Sequence, residues 1–323
     1  MTDPTPPLWE RAVLEKVALK ALDEARRARQ WSLLIKLLWF TLVFLLFAAA
    51  MGWIGGSAGE KVTIGKHTAL VDLKGVIGVE AKASADKIVP ALNNAFKDKN
   101  TQGVVLRINS PGGSPVQSGY INDEIRRLRG KYPAIPVYVV VQDLCASGGY
   151  YVAVAADKIY VDKASLVGSI GVIMSSFGFT GAMDKLGIER RSYTAGENKD
   201  FLDPFAPENA KQREHALRML GEIHEQFKKV VRTGRGERLK ETPETFSGLI
   251  WTGEKSVELG LADGLGSLEF VAREVIKAER VVDFTPDENY LETLSKRLGS
   301  EAGAALARAF AAALTKEPSL GAR

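Results

Sequence analysis

Residues 103–114 read Gly-Val-Val-Leu-Arg-Ile-Asn-Ser-Pro-Gly-Gly-Ser. A Val- and Ile-rich run ends at Pro111-Gly112-Gly113, and a helical pattern follows over 116–129. This predicts a buried strand over 103–109, a tight turn and a helix, the unit from which parallel α/β sheets are built. The alternation recurs on both sides. Strands are expected over 67–79, 135–141, 158–161, 166–174 and 189–194. Helices are expected over 83–96, 147–156, 180–186 and 208–233, the last with Ala216, Met219, Leu220, Ile223 and Phe227 on one face. The fold class is α/β with largely parallel strands under helices. No repeat at solenoid periods interrupts it.

The chain has 323 residues, 46% hydrophobic and 25% charged, enough for one large domain or two small ones. The formal charge of +4 is scattered, and no Lys/Arg block is interleaved with aromatics, so nothing points to nucleic acid. Cys145 is the only cysteine, so no intrachain disulfide braces the fold. It sits in an apolar run with no histidine nearby, as a small buried hydrophobe does.

Residues 37–54 are uncharged and apolar, and at about 1.5 Å per residue they span most of a hydrocarbon core of roughly 30 Å. With Trp31, Trp39 and Trp53 as interfacial anchors, they read as one uncleaved transmembrane helix. A cleavable signal peptide is the rival, given Ala48-Ala49-Ala50, but its charged region would be unusually long. Arg26, Arg27, Arg29 and Lys36 crowd the N-terminal flank, which places the N-terminus in the cytoplasm and the body outside it. The expected layout is a cytoplasmic tail (1–30), an anchor (31–56), a linker (57–66), a catalytic domain (67–285) and a C-terminal helical extension (286–323). A short amphipathic helix carrying Leu14, Val17, Ala18, Ala21 and Leu22 precedes the anchor, and an Ala-rich helix is expected over 301–313.

Two segments carry candidate chemistry. Cys145-Ala146-Ser147-Gly148-Gly149-Tyr150-Tyr151 opens a small-residue helix with a serine, and Ala195-Gly196-Glu197-Asn198-Lys199-Asp200 holds a lysine. The three histidines, His67, His215 and His224, lie in no turn-rich motif where a triad base is expected. A Ser147/Lys199 dyad would need no histidine. A lysine base must be neutral, which requires burial, and the hydroxyl of Ser169 in Val167-Gly168-Ser169-Ile170-Gly171-Val172 is a candidate to hold the amine. Glycines at 112–113 and 148–149 let backbone N–H groups approach a ligand, so Gly113 and Gly148 could form an oxyanion hole. Each of these features alone is also that of an ordinary turn, strand serine or surface lysine.

In this order, behind one membrane anchor and followed by Trp251-Thr252-Gly253-Glu254-Lys255-Ser256-Val257-Glu258-Leu259-Gly260-Leu261-Ala262-Asp263, these segments resemble the SppA-type signal peptide peptidases. That is a Ser/Lys family in the superfold of the Clp protease and crotonases, and the resemblance covers about residues 67–285. It implies Clp/crotonase-like repeated β-β-α units. It also implies Ser147 as nucleophile, Lys199 as general base, Ser169 as the residue orienting the lysine, and Gly113 with Gly148 as oxyanion donors. Asn198 departs from the aromatic that many relatives carry before the lysine. The implied substrates are remnant signal peptides and other unfolded polypeptides, met by a homo-oligomeric bowl on the inner (cytoplasmic) membrane with its catalytic domain periplasmic. No metal or other cofactor is called for, and no HExxH or P-loop pattern is present. The rival readings are a crotonase-like acyl-thioester enzyme and a membrane-tethered assembly protein with a vestigial site.

Overall fold

The computed structural model describes residues 8–50 and 65–286. The chain divides into two compact units, Met1–Val62 with Glu288–Arg323, and Thr63–Asp287. In the first, Leu8–Ala50 is one unbroken helix, α1, where the sequence reading expected a short amphipathic helix ahead of a separate span. Its stretch Arg29–Ala48, 20 residues with mean hydropathy 2.1, is long and apolar enough to cross a membrane by length and composition. The expected end of the anchor at 51–56, most of the linker and the helix at 301–313 lie outside the described residues.

In the second unit eight strands make one sheet. β1 (His67–Lys74), β2 (Thr101–Ser110) and β3 (Val137–Ala146) run parallel at its centre, and β8 (Val281–Asp283) adds in parallel beside β1. β3 serves two further neighbours. Its residues 138–140 pair with β4 (Lys158–Val161), and its residues 144–146 pair with β5 (Leu166–Gly168), both in parallel. β7 (Gly264–Leu265) extends the β4 branch, while β6 (Ile250–Thr252) closes the β5 branch antiparallel.

Successive strand side chains point to opposite faces. Val71, Leu73, Leu106, Ile108, Val139 and Val141 therefore pack in one layer with α2 (Ala85–Lys97), α3 (Pro115–Lys131) and α4 (Gly148–Ala153). Leu70, Val105 and Val140 face the other way, onto Leu268 of the short helix Leu268–Phe270 and Val271 of the π-helical turn Val271–Ile276. Burial on both faces is why these strands read as continuous apolar runs. Each fully buried Val, Leu or Ile contributes about 1.5–3 kcal/mol.

The parallel α/β architecture, the central strands and helix α5 (Thr180–Leu186) are as expected. Other boundaries differ. β1 ends at Lys74 because Gly75 turns with φ 84°, and α4 starts at Gly148 and stops at Ala153. The strand expected over 166–174 ends at Gly168, where Gly168 (φ 121°) and Ser169 (φ 52°) turn the chain out of the sheet. No strand forms over 189–194, whose residues are exposed with no ladder partner. The helix expected over 208–233 is α6 (Ala210–Arg235), capped by the Asn209 side chain, which accepts from the N–H groups of Lys211 and Gln212.

One ionic cluster ties the end of α6 to the sheet. Arg235 is 2% exposed and donates to Asp263 at 2.7 and 3.0 Å and to the Gly260 carbonyl at 2.8 Å. Asp263 also accepts the Ile159 N–H at 2.7 Å and a contact from Arg238 at 3.1 Å. Tyr150 of α4 donates to the neighbouring Leu261 carbonyl at 2.8 Å. Burial alone would raise the Asp263 carboxyl, but its hydrogen bonds from Arg235 and that charge outweigh it and hold the group below the usual carboxylate range. A depressed folded-state value stabilises the fold above the unfolded value of about 3.9, and this contribution is lost as pH falls further. Arg235→Ala should therefore cost up to about 3–5 kcal/mol in urea unfolding, because it removes the buried partner of Asp263 and leaves it only Arg238 and the Ile159 N–H. Removing the exposed Arg232–Glu241 pair should change the midpoint little.

Candidate active site

Parallel strands deliver their C-terminal ends to one side of a sheet, and Ser147, Ser169, Gly113 and Gly148 gather there. Ser147 directly follows β3 and holds φ 51°, ψ −122°, a conformation that costs a non-glycine residue roughly 1–3 kcal/mol. Its N–H donates to the Gly168 carbonyl at 2.9 Å, and its own carbonyl accepts from Tyr151 N–H at 2.9 Å. The turn lifts a half-buried hydroxyl out of the sheet at the start of α4.

Ser169 mirrors this geometry one strand away. Ala146 pairs with Gly168, so Ser147 and Ser169 each stand one residue beyond a paired position, both with positive φ. The N–H of Ser169 donates to the Leu249 carbonyl at 2.7 Å. A Cβ on Gly168 would lie 2.7 Å from the Trp251 ring, so the motif around Trp251 packs on the strand end that sets this serine.

The third piece is the turn after β2. A Cβ on Gly112 would stand 2.6 Å from the nitrogen of Gly148 and 2.7 Å from the Cβ of Ser147, so the two turns touch. Gly113 (φ 146°) pairs with Ile77, and a Cβ there would meet the Ile77 carbonyl at 2.1 Å. The nitrogen of Gly113 lies 3.2 Å from the position a Gly148 Cβ would take. Gly148 opens α4, so its N–H has no partner within the helix. Among the described residues neither Gly113 N–H nor Gly148 N–H donates to a protein acceptor. The result is a hydroxyl flanked by two free amides, a geometry suited to receiving a carbonyl and stabilising the oxygen as charge builds on it.

Lys199 is placed differently. It lies in an exposed turn, its N–H donating to the Gly196 carbonyl at 3.2 Å. Among the described residues its ammonium forms no hydrogen bond or ion pair with Ser147 or Ser169. The burial that a neutral amine requires is thus absent in the single chain. The lysine belongs to an outlying segment whose Ile173, Phe177 and Tyr193 are 86%, 79% and 92% exposed, and α5 within it buries no residue.

The histidines have other employment. His67 is buried at the start of β1, near Thr101 Oγ1 (3.2 Å) and the Gly65 carbonyl (3.1 Å), at the opposite end of the parallel strands from Ser147. His224 faces the Ile170 carbonyl at 3.1 Å, and His215 is exposed on α6 beside Phe201. Cys145, between Ser110 and Val167 in the sheet, is fully buried, and burial pushes its thiol well up.

Sequence reading missed the supports of the nucleophile turn. Ser118 and Asn122, one turn apart on α3, are buried. The Ser118 hydroxyl stands 2.5 Å from where a Gly148 Cβ would be, and Asn122 donates to the Tyr151 carbonyl at 2.6 Å. The available signal was polar residues at i and i+4 on the inward stripe of an amphipathic helix.

The sequence profile of peptidase family S49 matches residues 130–282, which include Ser147, Ser169 and Lys199. A Brucella melitensis protein named "Na(+)/H(+) antiporter NhaA" is 49% identical over 177 residues, 55% of this chain and 24% of that protein. An Enterococcus faecium protein named "Putative signal peptide peptidase SppA" is 32% identical over 60% of this chain and 56% of its own length. The chain thus spans about a quarter of one of these relatives and about half of the other. A Methanocaldococcus jannaschii protein named "Putative protease MJ0651" is 31% identical over 273 residues, 79% of this chain and 87% of that protein. With the similarity extending over nearly all of that relative, the chain belongs to peptidase family S49.

Proposed function

We propose that this protein is a membrane-anchored serine endopeptidase that cleaves remnant signal peptides and other unfolded polypeptides with a Ser147/Lys199 dyad. The observation that carries the reading is the Ser147 turn, a strained serine beside the unpartnered amides of Gly113 and Gly148. Membership of the S49 peptidases and the apolar stretch Arg29–Ala48 support it. The N-terminus is cytoplasmic, and residues 67–285 are the catalytic domain on the far side of the inner membrane.

In this mechanism neutral Lys199 takes the proton of Ser147 Oγ, which attacks the peptide carbonyl. The N–H groups of Gly113 and Gly148 hold the oxyanion, and the amine passes its proton to the leaving nitrogen. Water activated by the same lysine then hydrolyses the acyl-enzyme. Ser169, beside Ser147 at the paired strand ends, orients the amine.

The exposure of Lys199 bears on assembly. An outlying segment with so much uncovered apolar surface is suited to contact with a second copy, and such contact would bury the lysine next to the serines. The active form in this reading is a homo-oligomer.

Ser147→Ala and Lys199→Ala should each lower kcat by more than about 10³-fold, and the double variant should cost little more, because one catalytic unit is lost only once. Lys199→Arg should be equally inactive, since a guanidinium keeps its proton. Cleavage of an unfolded casein substrate measures this, and near-normal turnover by folded Lys199→Ala would exclude the dyad. Assembly has its own test by light scattering of the detergent-solubilised full chain. Phe177→Asp should lower both oligomer size and activity, and a fully active monomer would exclude the assembly.

A further inference from the structure

Ser110, the last residue of β2, is fully buried and has no part in the chemistry above. Its hydroxyl donates to the Gly75 carbonyl at 2.6 Å and accepts the Gly112 N–H at 3.1 Å. One side-chain oxygen thus ties the turn after β1 to the turn after β2. Its backbone carbonyl and side chain also lie 3.2–3.6 Å from where a Gly149 Cβ would stand, so the same residue abuts the nucleophile helix.

The geometry of the next peptide makes this contact consequential. The Gly112 carbonyl accepts from Ile77 N–H at 2.8 Å, and the peptide bonds are trans. In a planar trans peptide the C=O and the following N–H point in opposite directions. Holding the Gly112 carbonyl on Ile77 therefore turns the Gly113 N–H the other way, the side on which Gly148 and Ser147 lie. Two consecutive glycines have little intrinsic resistance to rotating that peptide. Resistance comes from the hydrogen bonds on either side of that peptide: Gly112 is held at its ends by Ile77 and Ser110, and beyond Gly113 the Ser114 N–H donates to the Ile77 carbonyl at 2.8 Å.

We propose that Ser110 is a positioning residue that fixes the direction of the Gly113 N–H as an oxyanion donor. The inference rests on the reading of Ser147 as nucleophile and Gly113 as donor. Without the hydroxyl, Gly112 loses one of its two restraints and the donor spends less time aimed at the developing charge.

The test compares full-length wild type, Ser110→Ala and Ser110→Cys in detergent. In Ser110→Ala, kcat should fall roughly ten- to hundredfold, at or below the range of about 10²–10³ for removal of a whole donor, with KM changed less than about twofold. Affinity for a peptide boronic acid, which forms a tetrahedral adduct on the serine, should fall by the same factor as kcat/KM. Ser110→Cys keeps a weak donor and acceptor at the same place and should fall between wild type and alanine; it carries the test alone if the alanine variant does not fold. A loss confined to KM, or one explained by a lower folded fraction with boronate affinity intact, would make Ser110 a packing residue and overturn the proposal. Failure of a fluorophosphonate to label wild-type Ser147 would sink the underlying reading and this inference with it. Normal labelling together with unaltered kcat and boronate affinity in both variants would reject the role of Ser110 alone.

Discussion

The contact on which the site depends is the parallel pairing of Ala146 with Gly168, extended by the hydrogen bond from Ser147 N–H to the Gly168 carbonyl. β3 gives its first half to β4 and its last three residues to β5. That fork brings two serine-bearing turns out of adjacent strand ends. Adjacent strands lie about 4.8 Å apart, so the sheet itself sets the spacing of Ser147 and Ser169. Both turns then adopt positive φ, a cost the surrounding core must hold in place. Tyr150 helps on one side through Leu261, and Asn122 on the other through Tyr151.

Much of this was legible in the residues. Val104 to Ile108 and Val137 to Val141 read as buried strands because both of their faces are covered; Gly112 and Gly113 read as a turn because glycine admits their positive φ, and Gly148 and Gly149 open α4 where a Cβ would crowd Ser118 and Ser110. What failed has a physical reason in each case. Ser169 reads as the middle of an apolar strand, but Gly168 meets Trp251 of a distant segment and the chain turns there. β6, β7 and β8 are two or three residues long and exist only through their partners, so no local pattern announces them. Residues 189–194 have strand-like composition and no neighbour to pair with.

The site was legible to the same degree. Ser147, Ser169, Gly113 and Gly148 sit at turns whose positions follow from strand order, and the structure brings them together. Lys199 lies in a long segment whose Ile173, Phe177 and Tyr193 are exposed, so no buried pattern in the sequence marks its surroundings. Ser110, Ser118 and Asn122 escaped because buried polar residues declare themselves only when their surroundings are known: Ser110 and Asn122 donate to backbone carbonyls of distant segments, and Ser118, which donates to the Ser114 carbonyl of its own helix, abuts Gly148.

Cys145, two residues before Ser147, gives the site a property of a different kind. Oxidants and disulfide exchange attack the thiolate, and a fully buried thiol pushed well up by its apolar surroundings offers almost none. The only sulfhydryl in the chain is thus shielded from its redox surroundings as long as β3 stays paired on both sides. The nucleophile turn keeps its shape in an oxidising compartment as in a reducing one, without a disulfide to form or to lose.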